Sequence, residues 1–278
     1  MKLFDLANWM ESPRWFRAFV VITIVSVAVY VVNVVFWEIN PGNIWGLTYG
    51  SIAAVLMLGA ALYGIRRRAM SFSLKFGLGR SQTWAQYHIY GGTICMLFIL
   101  MHIGFRLPSG PLNWMLWSLS IWVTVSGIFG TFLQKWIPAL LASGLSVEVL
   151  YERIPELINA MREDAEKLIE KCSTPVKDFY QRNVAPVLTT PKTRMIYYLD
   201  ITGGIQSEIK KFEYLGKVLG ADDKQVLQRL ESIYKTKLEL DAHYTLQKAL
   251  RVWLFTHLPL SLVLVVLAVL HLYAVLFY

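Results

Sequence analysis

Five stretches of the chain, residues 19–37, 47–65, 84–105, 112–134 and 252–278, contain no Asp, Glu, Lys or Arg. Each is about as long as a helix that crosses the hydrocarbon of a bilayer. Lipid offers backbone N–H and C=O groups no partner, so all five are predicted to be helices that satisfy their own hydrogen bonds. Between the fourth and fifth the pattern changes. Val147, Leu150, Ile154, Leu157, Met161 and Leu168 recur at three- and four-residue steps, which predicts an amphipathic helix over 146–172 that Pro155 can bend. Pro175, Pro186 and Pro191 mark 173–194 as a connector with little regular structure. Helical periodicity resumes near Gln206. After Gly220-Ala221-Asp222 it runs from Asp223 through Val226, Leu227, Leu230, Ile233 and Leu238 into the last apolar stretch. The predicted fold is therefore all-α: an integral membrane five-helix bundle with a helical cytoplasmic insert between the fourth and fifth crossings. Its parts are a membrane domain at 1–138, a subdomain at 139–250, and the fifth crossing at 251–278.

Composition agrees with this pattern. In 278 residues, 55% are hydrophobic, too many for a water-soluble domain of this size. The net charge of +8 need not mean a nucleic-acid partner, because the charges mark one side of a membrane. Of 27 Lys and Arg, all but Arg106 lie in the amino-terminal tail, in the loop from Arg66-Arg67-Arg68 to Arg80, or between Lys135 and Arg251. Five crossings put those regions together, and the positive-inside rule makes that side cytoplasmic. The expected location is the cell's inner, cytoplasmic membrane, with the amino terminus inside and the carboxyl terminus outside. The opening residues, with Asp5 and Glu11, lack the features of a cleaved signal peptide, so the first crossing is expected to be retained. Trp9, Trp15 and Phe16 beside Arg14 and Arg17 suit a helix entering the interface.

The candidate chemistry lies in the histidines. Four of the five form two pairs of equal spacing: His88 and His102 in the third stretch, His257 and His271 in the fifth. Fourteen residues of α-helix advance about 21 Å and leave the second side chain only about 40° from the first. Each helix therefore presents both histidines in one direction at two depths. The third and fifth crossings run parallel, which pairs His88 with His257 near the cytoplasmic face and His102 with His271 near the outer face. Two neutral imidazoles approaching one iron from opposite sides are the ligands of a six-coordinate b-type haem. Zinc or copper is the competing ligand set, but no carboxylate or thiolate lies at either level. No CxxCH is present to attach haem covalently, and Cys95 and Cys172 are placed too far apart to pair.

The second stretch carries Gly50 and Gly64, also fourteen apart, level with His102 and His88 respectively; glycine there lets a flat ring approach the backbone. Haem propionates need cations. Arg106 is the candidate outside, and Arg80, Arg251, Lys248 and the Arg66–Arg68 run are candidates inside. His243 lies one further fourteen-residue interval before His257, which leaves a third haem, with a second ligand of another residue type or from another chain, as an alternative to a packed or solvated histidine.

The two H-x13-H pairs, Gly50 and Gly64 on the preceding helix, and His102-Ile103-Gly104-Phe105-Arg106 resemble the four-helix dihaem core of the cytochrome b of quinol–cytochrome c oxidoreductases. The resemblance covers the second to fifth crossings. It implies His88, His102, His257 and His271 as axial ligands of two b haems, the glycines as packing, and Arg106 as a propionate contact. The chain departs from that family in its additional first helix, in the insert before the last helix, and in lacking the quinone-site half and a PEWY motif. Ferric-reductase-like membrane cores are more distantly similar. The expected function is a dihaem electron-transfer subunit of a multi-subunit oxidoreductase. Its expected partners are membrane lipid, soluble or peripheral redox subunits docking on the subdomain, and quinone as a candidate substrate. A non-redox membrane anchor and a histidine-lined transporter are the rival readings.

Overall fold

The computed structural model describes residues 13–68, 79–144, 149–170, 172–217 and 219–277. Among them all regular structure is helical: α1 (Pro13–Phe36), α2 (Ile44–Arg68), α3 (Ser81–His102), α4 (Pro111–Gly144), α5 (Ile154–Ile169), α6 (Thr174–Phe179), α7 (Ile201–Gly216) and α8 (Ala221–Phe277). The chain divides into two compact units. One takes in the described residues of Met1–Thr131 and Leu254–Tyr278, the other Phe132–Trp253. Helices α4 and α8 each contribute residues to both.

Among the described residues four helices are long and apolar enough to cross a membrane: α1, α2 over Ile44–Gly64, α4 over Pro111–Ala142, and α8 within Asp223–Phe277. Their side chains match lipid rather than water. Ile24 and Val35 of α1 are 62% and 72% exposed, and Val266 of α8 is 58% exposed, within faces that carry no charge. The chain therefore has the character of a membrane protein. Helix α3, expected as the third crossing, falls short of the same apolarity because Ser81, Gln82, Gln86 and His88 dilute its first half.

In the first unit α3 is the most enclosed helix, packing along α2 and against α1. Tyr49 and Ala53 of α2 meet Ile94, Cys95, Phe98 and Met101 of α3 in one buried cluster. Buried Asn33 of α1 donates to the Tyr49 hydroxyl at 2.7 Å, which satisfies an amide that lipid would leave unpaired. The expected helix through Phe105 stops at His102 instead. The chain turns through Gly104 and Phe105 at φ +61° and +54°, and the Phe105 N–H donates to the Leu100 carbonyl. A Cβ at Gly104 would lie 2.9 Å from the Ile39 carbonyl oxygen, so glycine is required there twice over.

The second unit has its own core, in which Tyr180, Val184 and Leu188 join Tyr197, Ile205 and Phe212 against Leu227, Leu230, Tyr234 and Leu238 of α8. Two sequence expectations are corrected. The predicted helix over 146–172 begins only at Ile154: residues 145–148 lie outside the described residues, Leu150 precedes the helix and is 69% exposed, and Pro155 occupies the first turn, where its missing N–H costs nothing. The predicted connector at 173–194 contains α6 and a π-helical turn, Tyr180–Val184, because Pro175 also starts a helix rather than breaking one. The run from Asp223 into the last stretch is a single helix of 57 residues that continues through Pro259.

Candidate functional site

The site begins with the seam between α2 and α3. Along α3, His88, Cys95 and His102 stand seven residues apart, and each donates to a backbone carbonyl of α2. His88 Nδ1 lies 2.9 Å from the Ala60 oxygen, Cys95 Sγ 3.3 Å from that of Ala53, and His102 Nδ1 2.8 Å from that of Gly46. The acceptors also recur at seven-residue steps, in the opposite order, as antiparallel packing requires. All three belong to residues with little or no side chain, which lets the imidazoles reach helix backbone. A carbonyl can only accept, so Nδ1 of each histidine carries the proton and Nε2 keeps a free lone pair. That is the tautomer of a metal ligand with a backbone acceptor behind it.

The histidines of α3 face those of α8 in the pairs the spacing implies. His88 and His257 have ring centres 6.4 Å apart with planes at 81°, and His102 and His271 repeat both values, 6.4 Å and 81°. With metal–imidazole bonds of about 2.0–2.1 Å and about 1.1 Å from nitrogen to ring centre, two ligands trans across one metal would stand about 6.3 Å apart. Each pair stands edge to face, at a separation that two imidazoles sharing one metal would also take. Among the described residues no group of three or more His, Cys, Asp or Glu gathers in a metal-binding arrangement. Each pair thus offers two protein donors, fewer than the three- and four-ligand sites of zinc use.

His257 is 8% exposed and is held by Ser126 of α4, whose Oγ lies 2.8 Å from its Nδ1. Gly127, next to Ser126, leaves the ring ordinary room: a Cβ there would lie 3.4 Å from His257 Cε1.

The glycines separate. A Cβ at Gly50 would lie 2.7 Å from His102 Nδ1, so Gly50 makes room for the imidazole itself rather than only for a ring between helices. At Gly64 a Cβ would meet nothing within 4 Å, and the ring packed beside His88 is Tyr63, with centres 5.2 Å apart. Arg106 is held by Glu38 at 3.0 Å and by Asn40 at 3.1 Å on an exposed surface. Arg80 precedes α3 as its N-cap residue. Arg251 pairs with Glu152 and covers the Tyr151 ring within the second unit. His243 lies in that unit too, buried, beside an apolar cavity of about 170 Å³ that Met161 and Leu240 also line. Sequence reading missed the carbonyls of Gly46 and Ala60 and the role of Ser126. The seven-residue recurrence of Gly46, Ala53 and Ala60 opposite His88, Cys95 and His102 was the available signal.

No protein-family model, curated protein or solved structure matches the chain. Fold and site together define a class: an all-helical chain of membrane character with two matching pairs of facing histidines at two levels of its helices.

Proposed function

We propose that this chain is a dihaem b-type membrane subunit of a multi-subunit oxidoreductase, passing electrons across the membrane between partner redox subunits, with quinone as a candidate small-molecule partner. The observation that carries this reading is the repeated 6.4 Å, 81° relation of His88 to His257 and of His102 to His271. These four residues would hold the two irons. Haem ligated by two imidazoles supplies one-electron exchange and has no open position for oxygen. The chain's own part is to fix the Nδ1 protons of His88 and His102 on the carbonyls of Ala60 and Gly46, and to surround both pairs with apolar helices that keep water away. The resemblance to the dihaem core of cytochrome b supports the same ligand set.

In this reading α3 is the third of five crossings. Its polar residues are tolerated because it packs inside the bundle. The second unit is cytoplasmic and is the docking place for redox partners, the amino terminus is cytoplasmic, and the membrane is the cell's inner one.

A pyridine haemochrome assay on purified protein tests the proposal. Two b haems per chain are expected, and a chain free of haem after expression with haem supplied would rule the reading out in favour of an anchor or transporter. His88→Ala and His257→Ala should each abolish the same haem, and His102→Ala and His271→Ala the other.

A further inference from the structure

We infer that Ser126 is a positioning residue that makes the two sites inequivalent, by holding the Nδ1 proton of His257; the inference rests on the dihaem reading. Among the described residues, three of the four histidines have an acceptor behind Nδ1. For His88 and His102 it is a backbone carbonyl, and for His257 it is a side chain, the Ser126 hydroxyl at 2.8 Å. The direction of that bond follows from its neighbour. Ser126 Oγ also lies 3.2 Å from the Val123 carbonyl oxygen, which can only accept. Both contacts are hydrogen bonds only when the single hydroxyl proton points to Val123, and Oγ then accepts from Nδ1–H of His257 and leaves Nε2 free to ligate. The opposite arrangement would place the proton on Nε2 and block it.

The second histidine of α8 has no such hydroxyl at the corresponding step. Fourteen residues before Ser126, at the spacing that separates His257 from His271, α4 carries Leu112, which has no polar side-chain atom. The His88–His257 site is therefore backed on both ligands, by Ala60 and Ser126, and the His102–His271 site on His102 by Gly46. An imidazole that donates through Nδ1 is a more basic ligand and favours the oxidised metal. Ser126 accordingly lowers the midpoint potential of the His88–His257 haem alone. One neutral hydrogen bond changes an equilibrium about two- to tenfold, and a tenfold change in the oxidised-to-reduced ratio is 59 mV for one electron.

The test is an optical redox titration of the purified full chain as wild type, Ser126→Ala, and the near-isosteric variants Ser126→Thr and Ser126→Val. Alanine and valine should raise one of two midpoints, with a two- to tenfold change in that haem's redox ratio at fixed potential. The other midpoint should stay in place, and threonine should match the wild type. In a His271→Ala background that retains one haem, Ser126→Val should move that haem. Loss of one haem in the alanine and valine variants with threonine intact is the same result in stronger form. Midpoints unmoved, both moved together, or threonine behaving as valine would overturn the role of Ser126 while leaving a dihaem protein. A wild type without haem would instead overturn the reading beneath it.

Discussion

Replacing Gly50 by alanine tests the seam between α2 and α3 without reference to any cofactor. The new Cβ would lie 2.7 Å from His102 Nδ1, 3.0 Å from Cε1 and 3.2 Å from Cγ. Carbon contacts settle at about 3.5–4.0 Å, so the imidazole must retreat by about 0.7 Å or more. Its bond to the Gly46 carbonyl, now 2.8 Å, then stretches to about 3.5 Å and ceases to be one. Overpacking costs about 1–3 kcal/mol and the lost hydrogen bond about 1 kcal/mol, against about 1 kcal/mol returned by alanine's helix propensity. At Gly64 the same substitution meets nothing within 4 Å and should gain up to about 1 kcal/mol. The expected gap between the two variants is about 2–4 kcal/mol, read as thermal or denaturant unfolding in one detergent. If Gly50→Ala is as stable as Gly64→Ala, the placement of His102 against α2 is wrong.

Two further outcomes concern the second unit. Lys237 and Asp241 are both 0% exposed, with Nζ 2.7 and 2.8 Å from the carboxylate oxygens and 3.0 Å from the Thr190 carbonyl. Lys237→Met should cost about 3–5 kcal/mol by stranding Asp241, and Lys237→Met with Asp241→Leu much less, as a denaturant series on the full chain would show. Glu208 sets an acid limit. Burial works to raise its carboxyl, but hydrogen bonds from Arg194 and Tyr234 and the charges of Arg194 and Lys211 prevail and hold it at about 2. Because this folded value lies below the ordinary one of about 4.3, the stabilisation is complete above that pH and fades as pH falls towards 2. Glu208→Gln should flatten that part of a pH–stability profile, and an unchanged acid limb would count against the network.

Helix content was legible because it rests on local pattern: charge-free runs, three- and four-residue steps, and fourteen-residue spacings belong to single helices. The facing of His88 to His257 and His102 to His271 matches those spacings together with the expected direction of each helix. The acceptors behind the histidines were not legible, because a backbone carbonyl leaves no mark on residue type and its use depends on the register between two helices. Gly50 and Gly64 look alike in sequence for the same reason, and only register shows that one lies under an imidazole. Pro155 and Pro175 misled because proline starts a helix as readily as it interrupts one, and the sequence does not say which turn it occupies. Lys237 and Asp241 stand at i,i+4 spacing, which does not by itself tell a buried pair from a solvated one. Their burial depends on Lys192, whose backbone N–H donates to Asp241 at 2.8 Å from 49 residues away.

The fourteen-residue spacing has a second meaning beyond the distance between two histidine pairs. Fourteen is two heptads, and the intermediate step is occupied on both helices of the seam, by Cys95 and Ala53. A straight α-helix drifts about 20° per heptad, so over two heptads a side chain leaves a straight seam by about 40°. Yet His88 and His102 reach their carbonyls at 2.9 and 2.8 Å, with no loss of contact from one end to the other. A left-handed wrap of the pair, or rotation of the imidazoles about their side-chain bonds, cancels the drift. Spacings of thirteen or fifteen would swing one histidine by about 100° out of the seam, taking its Nδ1 from the carbonyl and its ring from the partner on α8. Histidine depth, tautomer and helix packing are thus set by one repeat, and small residues at 46, 50, 53 and 60 are what allow that repeat to close.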